Sequence, residues 1–126
     1  MNFHDYHLEG YEISRKGAEI ALHLVWDYPG PKREKSHIVF TEVTLYNFAH
    51  TGGAIITDIV EIQIPELVQE FGRQIEEWSR MGGIELWRDT LDNYITTLQQ
   101  EGFRAWRIGS AIGFYGFVIA KSVGDA

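Results

Sequence analysis

The sequence predicts an α+β fold: an antiparallel sheet of about six strands with two helices packed on one face, in the order ββββααββ. Three observations lead there. A two-residue hydrophobic alternation runs through the first half of the chain and returns at its end, the signature of strands with one buried face. A helical periodicity occupies residues 66–101 between them. Strands and helices are segregated along the chain, which argues against a doubly wound parallel sheet. The 126 residues correspond to a single domain, 1–126. A chain of that size buries roughly two thirds of its unfolded surface and needs no disulfide or metal to hold a core.

The first hairpin joins residues 9–15 to residues 18–26 through Lys16-Gly17, where glycine supplies the positive φ of a two-residue turn. That turn sets Ile13 opposite Ile20, Tyr11 opposite Leu22 and Glu9 opposite Leu24. Ile20, Leu22, Leu24 and Trp26 then share one face, and Glu19, Ala21, His23 and Val25 the other. A turn around Pro29-Gly30-Pro31 leads to a third strand, Ser36 to Val43. Centring that turn on Gly30 places Leu22 opposite Ile38, Ile20 opposite Phe40 and His23 opposite His37. Residues 46–53 read as an aromatic-pinned connection. The isoleucine-rich stretch 54–64 reads as the fourth strand.

Pro65 can open a helix but cannot continue the ladder. Leu67, Val68, Phe71, Ile75 and Trp78 form one helical stripe, ending near Met81-Gly82-Gly83. Ile84, Trp87, Leu91, Tyr94, Ile95 and Leu98 form a second, ending at Glu101-Gly102. Gly72 costs the first helix about 1 kcal/mol relative to alanine. The chain closes with a predicted hairpin of residues 103–109 and 113–121 joined by Ser110-Ala111-Ile112-Gly113. Gly109, Gly113 and Gly116 do not form a dinucleotide fingerprint, because no helix follows them.

Composition narrows the function. Eleven Lys and Arg stand against eighteen Asp and Glu, for a net charge of −7. Nucleic-acid binding requires clustered cations, and the longest basic run, Lys32-Arg33-Glu34-Lys35, is interrupted by an acid. No nucleic-acid partner is therefore expected; a basic protein suits the sign of the charge better. The absence of cysteine excludes thiolate catalysis, iron–sulfur clusters and cysteine-ligated zinc. Met1–Asp5 shows neither a basic start nor an apolar run, and no stretch reaches the ~20 apolar residues of a spanning helix. No membrane partner and a cytoplasmic location are the resulting expectations. No cofactor is expected either.

The side chains with the most chemical potential are His4, Asp5 and His7, the cross-strand pair His23 and His37, and Asp58. A His-x-x-His spacing beside a carboxylate can ligate a divalent ion if the segment turns. In an extended strand residues 4 and 7 fall on opposite faces, and hydrogen bonds closing the first strand are the structural alternative. His23 and His37 can bind a metal or titrate near neutrality, or simply form a solvated face. Asp58 interrupts the isoleucine-rich strand on the side of Ile56, Val60 and Ile62, where a carboxylate needs a partner; Arg104 and Arg107 are on offer. No nucleophile or oxyanion donor accompanies it, so no catalytic residue is assigned. Glu66, Glu70, Glu76, Glu77, Glu85, Asp89 and Asp92 lie on or near the helices, as a solvated face or as a docking surface for a basic protein.

His4-Asp5-Tyr6-His7-Leu8, Ile38–Val43, Ile55–Ile59 and the Ser-x-x-Gly-x-x-Gly of Ile108–Phe117 together resemble the motifs of small bacterial α+β domains grouped with polymorphic-toxin immunity proteins. The resemblance covers both ends of the chain but not residues 66–101. It implies a small α+β interaction domain with no established enzyme activity, and it carries over no catalytic set. With the acidic balance and the abundant aromatics added, Trp26, Trp78, Trp87 and Trp106 among them, the leading expectation is a non-enzymatic, immunity-like domain that masks a basic partner, such as a toxin, by an acidic and aromatic surface. The alternatives are a small metal-dependent hydrolase using the N-terminal or cross-strand histidines, and a homodimeric structural module.

Overall fold

The computed structural model describes residues 2–26, 28 and 34–125, residues 2–4 by their backbone alone. Its elements are strands β1 (Asn2–Ser14), β2 (Glu19–Trp26), β3 (Glu34–Thr41) and β4 (Leu45–Ile62), helices α1 (Ile64–Arg80) and α2 (Leu91–Gln100), and strands β5 (Arg104–Ala120) and β6 (Ser122–Asp125). The six strands form one antiparallel sheet in the order β5-β4-β1-β2-β3-β6. Its two edge strands are consecutive in the chain, separated only by Lys121, so the sheet curls back on itself. Backbone bonds from Thr44 N to Ile119 O (2.9 Å) and from Lys121 N to Thr41 O (3.2 Å) fasten that corner. The α+β class and the antiparallel sheet are as the sequence predicts. The helices, however, cover the outer face of β4 and β5 rather than a whole sheet face.

The first hairpin follows from its turn. Lys16 (φ 57°, ψ 36°) and Gly17 (φ 91°) take the left-handed pair of conformations that match strand twist, and Ala18 N bonds Arg15 O at 3.2 Å. Ile13 pairs with Ile20 and Tyr11 with Leu22, as expected, but a bulge between Leu8 and Gly10 places Leu8, not Glu9, opposite Leu24. Along β2 and β3 the expected pairs Ile20–Phe40, Leu22–Ile38 and His23–His37 all form. The Pro29-Gly30-Pro31 turn itself lies outside the described residues. β3 stops at Thr41, two residues before the expected end, because Glu42 turns into the left-handed region (φ 52°).

The largest departure concerns β4 and β5. The expected connection 46–53 is strand, and the expected closing hairpin is one long strand, β5, paired along most of β4. The glycines and serine that suggest a turn instead build irregularities. Residues 51–54 bulge opposite the single residue Gly113, whose φ is +76° and whose missing Cβ would lie 2.5 Å from Thr51 Oγ1. Ser110 Oγ donates to Ile112 O (2.7 Å) and accepts from Phe114 N (3.2 Å), satisfying backbone groups that the irregularity takes out of the ladder.

Helix α1 begins with Pro65 in its first turn and buries Leu67, Val68, Phe71 and Ile75. It ends in a glycine cap: Gly82 is at φ 74° and Gly83 N bonds Trp78 O at 2.8 Å. Gly72 has a packing reason, since a Cβ there would stand 3.3 Å from Leu91 Cδ1 of α2. The second helix is shorter than predicted. Residues 81–90 are turn and bend; Asp89 is left-handed (φ 68°), and Thr90 Oγ1 accepts from Asn93 N (3.1 Å) to cap α2. Ile84 is nonetheless buried and Trp87 packs on the core, so the apolar pattern reported burial correctly without reporting helix.

Two cores result. Ile20, Leu22, Leu24, Ile38, Phe40, Ile56, Trp106, Ile108 and Val118 fill the inside of the curled sheet. Leu67, Val68, Ile75, Tyr94 and Leu98 pack from the helices against Leu45, Ala105, Phe117 and Ile119 on the outer face of β4 and β5.

Candidate functional site

The described side chains singled out in the sequence do not gather into one site. Asp5 takes a left-handed conformation (φ 66°) at the irregularity between Asn2 and Tyr6 where β1 meets β4, a backbone role that aspartate tolerates better than most residues. His7 packs its ring on Tyr28 (5.3 Å between centroids), next to the Tyr28–Trp26 and Trp26–Tyr6 contacts. The side chain of His4 lies outside the described residues. A bulge at Thr57 turns Asp58 onto the face opposite Ile56, so that it keeps the expected side of Val60 and Ile62 but not that of Ile56. Its carboxylate accepts from Thr57 Oγ1 at 3.4 Å and closes over Gly109, where a Cβ would meet Oδ1 at 2.1 Å. Neither arginine on offer reaches it: Arg104 forms a two-pronged pair with Glu61 (2.6 and 2.9 Å), and Arg107 binds Glu70. Among the described residues no group of three His, Asp or Glu side chains is placed to hold a metal ion.

His23 and His37 do meet. They lie across from one another on the outward faces of β2 and β3, with Nδ1 atoms 2.6 Å apart and rings at 77°. Glu12 Oε1 stands 3.8 Å from His23 Nε2. His50, expected in a connection, is on β4 and pairs its Nε2 with the Tyr11 hydroxyl at 3.1 Å.

A second arrangement, not anticipated from the sequence, ties the helical layer to the sheet. Glu70 of α1 accepts from the Tyr115 hydroxyl at one oxygen and from Arg107 at the other, while Glu66 stands 3.9 Å from Arg107. The hydrogen bond from Tyr115 is the main cause that holds the Glu70 carboxyl below its ordinary range; burial opposes it, and the bond and charge of Arg107 add to the lowering. The same bond to Glu70 raises the Tyr115 phenol.

A groove of about 460 Å³ lies between the turn at Lys16-Gly17, the start of β4 and the end of α1. Leu45, Tyr46 and Trp78 give it an apolar wall, and Lys16 and Glu85 its charges. A second hollow of about 330 Å³ shares Ala18, Val43, Thr44 and Glu85 with it and continues to Phe103 and Lys121. Beside the groove, Met81 is 76% exposed, the most exposed large apolar side chain of the described residues. Glu76, Glu77, Glu85, Asp89 and Asp92 are all exposed, and none joins an ion pair among the described residues. Segment 61–101 carries nine acids against three bases, so almost all of the net charge of −7 resides in the helical layer. The sequence made those acids visible; Met81 was read only as a helix end.

No protein-family model matches this chain, and the searches of curated proteins and of solved structures return no match to it. No helix among the described residues is long and apolar enough to cross a membrane.

Proposed function

We propose that this protein is a non-enzymatic interaction domain whose helical layer docks a basic protein, in the manner of an immunity protein masking a toxin. The observation that carries the reading is Met81, exposed just past the end of α1 in a stretch where Glu76, Glu77, Glu85, Asp89 and Asp92 form no ion pair among the described residues. Unbranched, polarisable methionine adapts to varied partners and is enriched at interface centres. Carboxylates around it favour a cationic surface, speed encounter and repel acidic competitors. Glu77 precedes Met81 by four residues and so shares its side of the helix end. The resemblance of the terminal motifs to immunity-type domains supports a toxin as the partner.

The test is co-expression with the products of the neighbouring genes, followed by binding to any basic one measured at two salt concentrations. Met81→Asp is expected to weaken the complex at least 10-fold, about 1.4 kcal/mol. Glu76→Lys with Glu77→Lys should weaken it further at low salt than at high salt. Equal affinity for all three chains, or full toxin activity at saturating concentrations of this protein, rejects the reading.

A further inference from the structure

We propose that His23 and His37 form a two-histidine site for a borderline divalent transition-metal ion, with Zn²⁺ as the reference ion, on the sheet face that the helices leave uncovered. No residue of β2 or β3 joins the helical core, so the site is spatially separate from the groove and stands independently of the docking proposal. Each histidine projects outward from a regular stretch of ladder that fixes its Cα position, His23 directly opposite His37. Their Nδ1 atoms converge to 2.6 Å. The contact is a hydrogen bond in which one ring's Nδ1–H donates to the other's Nδ1, and a metal ion can take the place of that hydrogen between the same two nitrogens.

Three features favour the metal at neutral and mildly alkaline pH. Neutral imidazole is a preferred ligand for zinc, copper and nickel ions, with Zn–N distances of about 2.0–2.1 Å. Such distances put two nitrogens about 3.3 Å apart at a tetrahedral ion, so the rings must open from 2.6 Å, a movement that side-chain rotation on an open face supplies. Glu12 Oε1 stands 3.8 Å from His23 Nε2, so a carboxylate lies behind the ring whose Nδ1 faces His37. A carboxylate behind a ligating imidazole is common at metal centres. The site is also open. His37 is exposed, the His23 side chain is 27% exposed, and the residue across from His23 on β1 is Gly10, whose absent side chain would meet nothing within 4 Å. Water can therefore complete the coordination shell that two protein ligands leave unfilled.

The experiment is calorimetric titration of the untagged full chain with zinc chloride at pH 8, paired with ¹⁵N spectra of the histidine rings. One Zn²⁺ per chain is expected, with the Nδ1 resonances of His23 and His37 shifting together while those of His7 and His50 stay in place. His23→Ala and His37→Ala should each abolish binding, and Glu12→Gln should weaken it about 10-fold. Circular dichroism verifies the fold of each variant, and His37→Gln replaces any alanine variant that fails to fold. Binding that survives both histidine substitutions, shifts confined to other rings, or no binding up to millimolar Zn²⁺ overturns the proposal and leaves a shared proton as the occupant.

Discussion

The core inside the curled sheet and the core beneath the helices share strand β5 but are assembled differently. The inner one draws on β2, β3, β4 and β5, so its residues come from every part of the chain except the helices. The outer one is a helical pair resting on parts of β4 and β5. Along Phe117–Ala120 the alternation serves both, with Phe117 and Ile119 turned out to the helices and Val118 and Ala120 turned in. That is why this segment reads as an unbroken apolar run, whereas in β2 the buried Ile20, Leu22 and Leu24 alternate with the half-buried Glu19, Ala21 and His23. The surfaces differ too: the helical layer concentrates the acids, while the histidine pair lies on strands it does not cover. The lesson is that one strand can bind two layers into one cooperative unit while leaving each layer its own exterior chemistry.

The strongest way to break this comparison is to damage each core separately. Phe40 and Leu67 are both fully buried, one in each core. Phe40→Ala is expected to cost about 3–5 kcal/mol and Leu67→Ala about 2–5 kcal/mol. Because β5 carries both cores, either change should shift a single denaturation transition. Helical circular dichroism and hydrogen exchange of the β2 amides should report that transition together. A Leu67→Ala chain that loses its helical signal while the β2 amides stay protected would show that the layers are uncoupled.

How much of this was legible follows from the range of the interactions. The β2–β3 register was readable because alternation fixes which residues share a face, and Lys16-Gly17 fixed the first turn. The bulges were not: one extra residue, Thr57, sends Asp58 to the face opposite Ile56, and nothing local distinguishes it from its neighbours. Ser110–Gly113 has the composition of a turn, yet long-range pairing with β4 made it an irregularity within a strand. For the candidate sites, the His23–His37 pairing was legible through register. The Glu70–Arg107–Tyr115 contact was not, because it depends on where α1 crosses β5.

A smaller effect probes the helical core alone. Tyr94 is fully buried, and its hydroxyl has no hydrogen-bond partner among the described residues; burial pushes its phenol upward from the ordinary value. An unpaired buried hydroxyl costs roughly 1–3 kcal/mol of desolvation. Tyr94→Phe keeps the ring against Trp87 (5.7 Å between centroids) and removes the polar atom. The variant should therefore be more stable by about 1 kcal/mol in urea denaturation. A loss of stability would mean that the hydroxyl contributes favourably in the folded protein.

The mildest test concerns the bond between the layers, where pH should act at both ends of its range. The Glu70 carboxyl is lowered in the folded chain, so its contribution is present above the unfolded carboxylate value of about 4.3 and is lost as pH falls through the folded value. The Tyr115 phenol is raised, so its contribution is complete below the unfolded value of about 10 and is lost as pH rises through the folded one. Glu70→Gln should remove the acid limb attributable to this contact. Tyr115→Phe should remove the alkaline limb and leave part of the acid limb, since Arg107 still binds Glu70. Near neutral pH each variant should lose no more than about 1 kcal/mol, because the contact is largely solvent-exposed. Melting temperature measured across pH, with the wild-type profile subtracted, would show two separate windows. Identical profiles for wild type and Glu70→Gln below pH ~4.3 would mean that the helical layer is held by its apolar contacts alone.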